Sequence, residues 1–193
     1  MARQKEFNQS HVIERAMQLF WEQGYERTSV EDLVRCTGLG RGSLYDTFHD
    51  KHSLFLLALN HYQEEGRKNL VMLREAQSPF LEALRHFFAA LIDETTNDTA
   101  HRGCMMVNTT LEVAPHDPAV AAVTQAAISE AEEAFYHVLI KAQAAGELAW
   151  TYDPHQLAHF LLNTMLGIRV LARTNPSCHI LEEIVTTAFS VFR

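Results

Sequence analysis

"TGLGRGSLYDTFHDK", residues 37–51, sets Gly38, Gly40 and Gly42 within five positions and closes on Tyr45, Phe48 and Lys51. Glycines crowded like this let backbone amides approach an anion with no side chain in the way. The anion could be the phosphate of a bound nucleotide or that of a nucleic-acid backbone. A dinucleotide cradle needs a strand before its glycines and the spacing G-x-G-x-x-G. Here the spacing is G-x-G-x-G, and the residues before it have helical spacing. What remains is helix, tight turn, helix. Gly38 stands where the chain must reverse, a position that favours a left-handed backbone. The second helix, about residues 40–47, has two glycines near its start and little propensity of its own. Leu44 and Phe48, four apart, supply its buried side. Arg41, Ser43, Tyr45 and Thr47 are left to face a partner. Hydroxyls and one Arg at a helix N-terminus are the groups that grip phosphate and read guanine edges.

Outward from this stretch the periodicity is helical throughout. Val12, Ile13, Ala16, Leu19 and Phe20 share one face, and Gly24 stands where that helix would stop. Thr28 with Glu31 has capping-box spacing and opens a short helix through Val30, Leu33 and Val34. Asp50 caps a longer helix to about Met72, and Ser78-Pro79 starts another through Phe80, Leu84, Phe88 and Leu91. Residues 95–101 read as a polar loop, followed by a short helix over about 103–112. Asp117-Pro118 and Asp153-Pro154 repeat the cap-plus-proline signal, opening helices to about Ala145 and Arg173. Pro176 stops the last of these, and Ser177 caps a final helix to Phe192. The expectation is an all-α protein of about nine helices, with no internal repeat.

A hydrophobic content of 47% with 21% charged residues excludes a disordered chain. The polar start MARQKEFNQS offers no signal-peptide core, and no apolar run reaches the roughly 18 residues of a membrane span. Three scattered cysteines (Cys36, Cys104, Cys178) make no disulfide framework and fit a reducing cytoplasm. The net charge of −8 argues against nucleic acid, yet it is unevenly spread. Residues 1–52 carry seven basic and eight acidic side chains, a balance of −1, against nine and sixteen in the remainder, a balance of −7. Charge therefore permits a DNA-binding face in the first quarter without showing one.

The residues from Thr28-Ser29-Val30-Glu31-Asp32-Leu33 through Thr37-Gly38-Leu39-Gly40-Arg41-Gly42-Ser43-Leu44-Tyr45 to Lys51-His52-Ser53-Leu54 closely resemble the DNA-binding module of TetR-family transcriptional regulators. The upstream "AMQLFWEQGYERTSV" fits that family's first helix and the turn after it, so the resemblance spans about residues 9–58. It implies a helix-turn-helix domain over 1–52 and a ligand-binding, dimerising domain over 53–193. It implies a homodimeric repressor on a near-palindromic DNA operator, released by a small hydrophobic or aromatic effector, with no cofactor and no catalysis. Residue by residue, Thr28 would cap the second helix and meet a phosphate, and Arg41 would face base edges. Ser43, Tyr45 and Thr47 would contact the backbone, Gly42 would let the helix come close, and Lys51 would meet another phosphate. Cys36 and Thr37 depart from the small apolar residues often seen before the turn glycine, and the module lacks the usual basic excess.

Three places in the acidic remainder invite a site. His155 and His159 in HQLAH have zinc-ligand spacing, but no metalloprotease Glu and no third ligand accompany them, so His159 reads as facing a pocket. In "RGCMMVNTTLE", residues 102–112, Cys104, Asn108 and Leu111 share a face suited to a ligand cavity, or else Asn108 bonds backbone at a packed helix end. His101 near Cys104 is a weak sign of a nucleophile–base pair. Of the aromatic stripe, Phe88 and Tyr136 join Leu162 as candidate cavity residues. The last two helices are apolar on more than one face and demand cover from a second copy. Leu157, Leu161, Thr164, Ile168, Ile184 and Val191 are the expected dimer residues. Two rival readings remain: a thiol-based redox or electrophile sensor using Cys104 on the same fold, and a helical small-molecule carrier or enzyme with the N-terminal helices as scaffold.

Overall fold

A computed structural model describes residues 8–192, and among them the chain forms nine α-helices and no strand. Residues 1–7, with the polar start and the Arg3 and Lys5 of the charge count, lie outside the described residues, as does Arg193. The helices are α1 (Gln9–Gln23), α2 (Val30–Thr37), α3 (Arg41–Phe48), α4 (Lys51–Arg74), α5 (Phe80–Asn97), α6 (Met105–Glu112), α7 (Pro118–Ala144), α8 (Pro154–Leu171) and α9 (Cys178–Phe189). No helix among the described residues is long and apolar enough to cross a membrane.

Local chemistry sets most of the boundaries. Asp50, Asp117 and Asp153 each accept first-turn amides of α4, α7 and α8, and Ser177 does so for α9. Gly38 ends α2 in the left-handed region at φ 73°, as the turn requires. Four details differ from the sequence reading. The cap of α2 is Ser29 with Asp32, which exchange bonds of 3.1 and 3.0 Å, and not Thr28 with Glu31. Thr28 is fully buried, with its hydroxyl donating 2.6 Å to the Gly24 carbonyl, so the next residue is the one free to cap. Helix α5 runs on to Asn97 through part of the expected loop, with the Thr96 hydroxyl bonding back to the Ile92 carbonyl at 3.0 Å instead of drawing the chain into a turn. Helix α6 begins only at Met105, since Gly103 has φ 66° and cannot be helical. Helices α8 and α9 end at Leu171 and Phe189, each followed by a tight 3₁₀ turn.

Two cores hold the helices together. The first joins α1, α2 and α3 through Phe20, Leu33, Leu44 and Phe48 to Leu54, Phe55 and Leu59 of α4, and it extends to Met105, Val113 and Val120. The start of α4 is therefore packed on the first three helices, and α6 joins the same core from against α4, α7 and α8. The second core joins α5, α7, α8 and α9 around Phe88, Phe135 and Phe189, whose rings lie 5.7–5.9 Å apart. The expected partner-facing stripe of α8 belongs to this second core. Leu161 and Ile168 are fully buried and Leu157 and Thr164 nearly so, covered by the chain itself. The face left open on α8 is the opposite one, where Phe160 and Val170 are 38% and 49% exposed beside Gly167. On α9 and its terminal turn Ile180 and Val191 are exposed and Ile184 is half-buried.

Candidate nucleic-acid interface and effector cavity

Helix α3 buries Leu44 and Phe48 and presents Arg41, Gly42 and Ser43 to solvent, with Tyr45 and Thr47 half-exposed. Its N-cap is Gly40, which offers no side-chain bond to the first-turn amides. Those amides are available to an anion. Arg41 lies beside them at the first helical position. Its Nη1 donates to Glu31 Oε1 at 3.2 Å, and its guanidinium sits 5.8 Å from the Tyr45 ring centre. The Thr47 hydroxyl donates 2.8 Å back to the Ser43 carbonyl. A Cβ at Gly42 would meet nothing in this chain, so its smallness serves no internal packing. Lys51 opens α4 with its ammonium 4.1 Å from the Tyr25 ring centre, and burial lowers its pKa. Thr28 lies buried beneath this surface with both its donors used, the hydroxyl on the Gly24 carbonyl at 2.6 Å and the amide on the Tyr25 carbonyl at 3.2 Å, so the expected phosphate contact of Thr28 is not made from this position.

A cavity of about 290 Å³ lies between α4, α5, α6, α7 and α8. Of the residues expected there, Cys104 and Leu111 line it. Phe88 lies behind its neighbour Phe87, which does reach the cavity, because Phe88 is locked between Phe135 and Phe189. Asn108 donates 2.8 Å to the Arg102 carbonyl and so holds the loop before α6. Tyr136 stacks on His155 at 4.0 Å, and His159 meets Glu132 Oε1 at 2.9 Å. Leu162 packs against the second core. His155 and His159 thus have separate partners, and no group of three metal-ligating side chains occurs among the described residues. The Cys104 thiol faces Arg169, whose Nη1 donates to Sγ at 2.7 Å, and not His101. Sequence reasoning missed Arg169 and Tyr62, both on the cavity wall. The lone Arg in the apolar run LLNTMLGIRVL was the available signal for the first.

Helix α6 connects this cavity to the first three helices. Trp21 Nε1 on α1 donates 2.9 Å to the Gly103 carbonyl, and the Arg102 guanidinium lies 3.7 Å from the Trp21 ring centre. At the other end, Glu112 accepts the amides of Tyr25 and Glu26 at 3.2 and 3.0 Å. Gly24 is required there twice over, by φ 85° and because a Cβ would stand 2.8 Å from Glu112 Oε2. A helix that walls the cavity therefore also holds the turn entering α2.

The N-terminal geometry matches a known family. Residues 12–58 fit the family model described as bacterial regulatory proteins, tetR family, and residues 81–187 fit that of the tetracyclin repressor-like C-terminal domain. The chain belongs to the TetR family. It is similar to the uncharacterized HTH-type transcriptional regulator YezE of Bacillus subtilis, 36% identical over 99% of both chains. It is also similar to the HTH-type transcriptional repressor ComR of Escherichia coli, 30% identical over 98% of this chain and 91% of that one. Among solved structures, a cysteine mutant of the TetR-family regulator CifR complexed with 26-bp operator DNA superposes with a TM-score of 0.88 at 28% identity, covering 100% of both chains. The TetR-family chain described here is a transcriptional regulator, like its relatives, and not an enzyme.

Proposed function

We propose that this TetR-family regulator is a homodimeric repressor that holds a near-palindromic operator through α3 and releases it when a small apolar effector enters the cavity. One observation carries the reading: α6 walls the cavity with Cys104, Met106 and Leu111 and clamps the turn before α2 with Glu112. An effector that shifts α6 changes the setting of the helix-turn-helix, and its differential affinity for the two settings is what drives release. Arg41, Gly42, Ser43, Tyr45, Thr47 and Lys51 form the DNA face above the buried Thr28, with residues 1–52 as reader and 53–193 as effector and dimer domain. ComR, named a repressor, and CifR, bound to operator DNA, support the same role. The second copy covers the exposed faces of α8 and α9, with Ile184 and Val191 among its contacts. The test is selection of bound fragments from random duplex DNA, followed by a screen for compounds that raise Tm and weaken DNA binding together. Recovery of no preferred sequence would sink the reading.

A second reading keeps the fold and changes the trigger. Cys104 is a free thiol at the cavity wall beside Arg169, so modification of this sulfur would disturb α6 at its first turn. A full response of Cys104→Ser to thiol-reactive compounds rules that reading out.

A further inference from the structure

Most of the cavity wall is apolar. Leu70, Phe87, Met106, Ile128 and Leu166 form its greasy walls. Arg169 shares that wall, a guanidinium that keeps its charge at any working pH. The guanidinium lies deep even though the residue keeps some exposure along its length. Among the described residues its single hydrogen bond is the one from Nη1 to Cys104 Sγ. Its Nε is buried with no partner, and no carboxylate lies within 4.0 Å to pair with it. A buried cation without a counter-charge is costly, and an anion delivered to it is correspondingly favoured.

The other charges on the wall do not supply that anion. Glu130 is already held by Arg67 at 2.8 Å and by Gln63 at 3.2 Å. Glu94 lines the same cavity and acts on Arg169 only from beyond 4.0 Å and from an exposed, solvated position, so it competes weakly for the guanidinium without closing on it. A second feature points the same way. Helix α6 starts beside Arg169 with Cys104 as N-cap, and no side chain bonds its first-turn amides. A helix N-terminus favours negative charge through those amides and its dipole. Cys104 and Met106 bring this end of α6 onto the cavity wall. Tyr62 stands close by, its phenol held neutral by burial and able to donate.

We propose that the effector is a small apolar acid, its carboxylate seated between Arg169 and the N-terminus of α6 and its hydrocarbon body filling the cavity. This rests on the effector-released repressor reading and names the chemical class it takes. About 290 Å³ is close to ten water volumes at ~30 Å³ each, so the body has on the order of ten non-hydrogen atoms. The carboxylate pulls Arg169 from the Cys104 sulfur and engages the first turn of α6, the helix that clamps the DNA-reading module.

The test is calorimetric titration of the full chain with octanoate and benzoate, against 1-octanol, benzyl alcohol and octylamine as neutral and cationic counterparts. Each acid binds about tenfold or more tightly than its alcohol, the worth of one charge-assisted hydrogen bond, and octylamine binds worst. Arg169→Lys retains part of the preference as a point charge, Arg169→Met erases it, and Glu94→Gln tightens both acids severalfold by removing the competing carboxylate. Circular dichroism checks that each variant is folded. The wild-type ratio and Arg169→Lys remain decisive should Arg169→Met fail to fold. The proposal is overturned if neither acid binds, if the alcohols match the acids, or if a folded Arg169→Met keeps the preference. Release of the selected duplex is read separately. If octanoate binds through Arg169 yet leaves DNA affinity unchanged, the acid site stands and the effector-released repressor reading falls.

Discussion

Arg41 and Lys51 flank one short helix and meet different surroundings. Arg41 is exposed at the first position of α3, with only Glu31 3.2 Å away to hold it. An exposed pair of this kind contributes little, so DNA can displace the Glu31 carboxylate cheaply. Its planar fork then suits a guanine edge, where a bidentate contact discriminates by about 1–3 kcal/mol. Arg41→Ala is expected to relax specificity at one base position per half-site, and Glu31→Gln to strengthen binding. Lys51 is held over Tyr25, and in the proposed DNA face it meets the phosphate backbone, which positions without reading sequence. Lys51→Ala is expected to weaken all duplexes alike and to shrink the salt slope by about one unit. Titrations across salt concentration with operator variants check both. Equal loss on every sequence for Arg41→Ala would reassign it to phosphate. Residue types and spacing placed α3 and its buried Leu44 and Phe48 correctly, but not the inward turn of Thr28, whose hydroxyl bonds the Gly24 carbonyl four residues back and leaves the capping to Ser29.

Helices depend on their ends, and here the ends carry both stability and coupling. Asp50 caps α4, and the Ser53 amide, bonding its carboxylate at 2.6 Å, keeps its pKa below the ordinary 3.8. A depressed carboxylate contributes stability above its unfolded pKa and loses it as pH falls through the folded one. Denaturant midpoints should therefore drop as pH falls below about 4, and Asp50→Asn should flatten part of that limb. Identical acid limbs in the two proteins would remove the cap from the account. Glu112, last residue of α6, has a different task. Glu112→Ala frees the Tyr25 and Glu26 amides, so an effector should still raise Tm while its influence on DNA affinity falls by much of the usual 1–3 kcal/mol of coupling. Unchanged release by effector in that variant would place the coupling elsewhere. The caps were legible because an Asp or Ser before a proline or an apolar run acts within one turn. Glu112 was not, since its partners lie 86 and 87 residues away.

At the scale of the whole molecule the open faces of α8 and α9 decide assembly. Phe160, Val170 and Ile180 are 38–49% exposed, a cost that the proposed second copy would remove. Ile180→Asp is expected to give a folded monomer with much weaker operator binding. Ile168→Asp buries an unpaired charge in the chain's own core and should cost several kcal/mol of folding stability instead. Light scattering with circular dichroism separates the two results. A dimeric Ile180→Asp would put the interface on another face.

The sequence by itself determined the all-α class, the succession of nine helices among the described residues, the Asp50, Asp117, Asp153 and Ser177 caps and the helix-turn-helix, because propensity, capping and turn chemistry act between residues a few positions apart. It also marked α8 as apolar on two faces. Which face the chain covers is a matter of what packs against it, and only the tertiary structure decided that Leu157, Leu161, Thr164 and Ile168 turn inward. The cavity belongs to the same class of fact. Cys104 and Arg169 stand 65 residues apart in the chain and meet across it, and Trp21 finds Gly103 over 82. No local spacing encodes such pairs, because they exist only once two cores have formed and α6 has been fixed between them.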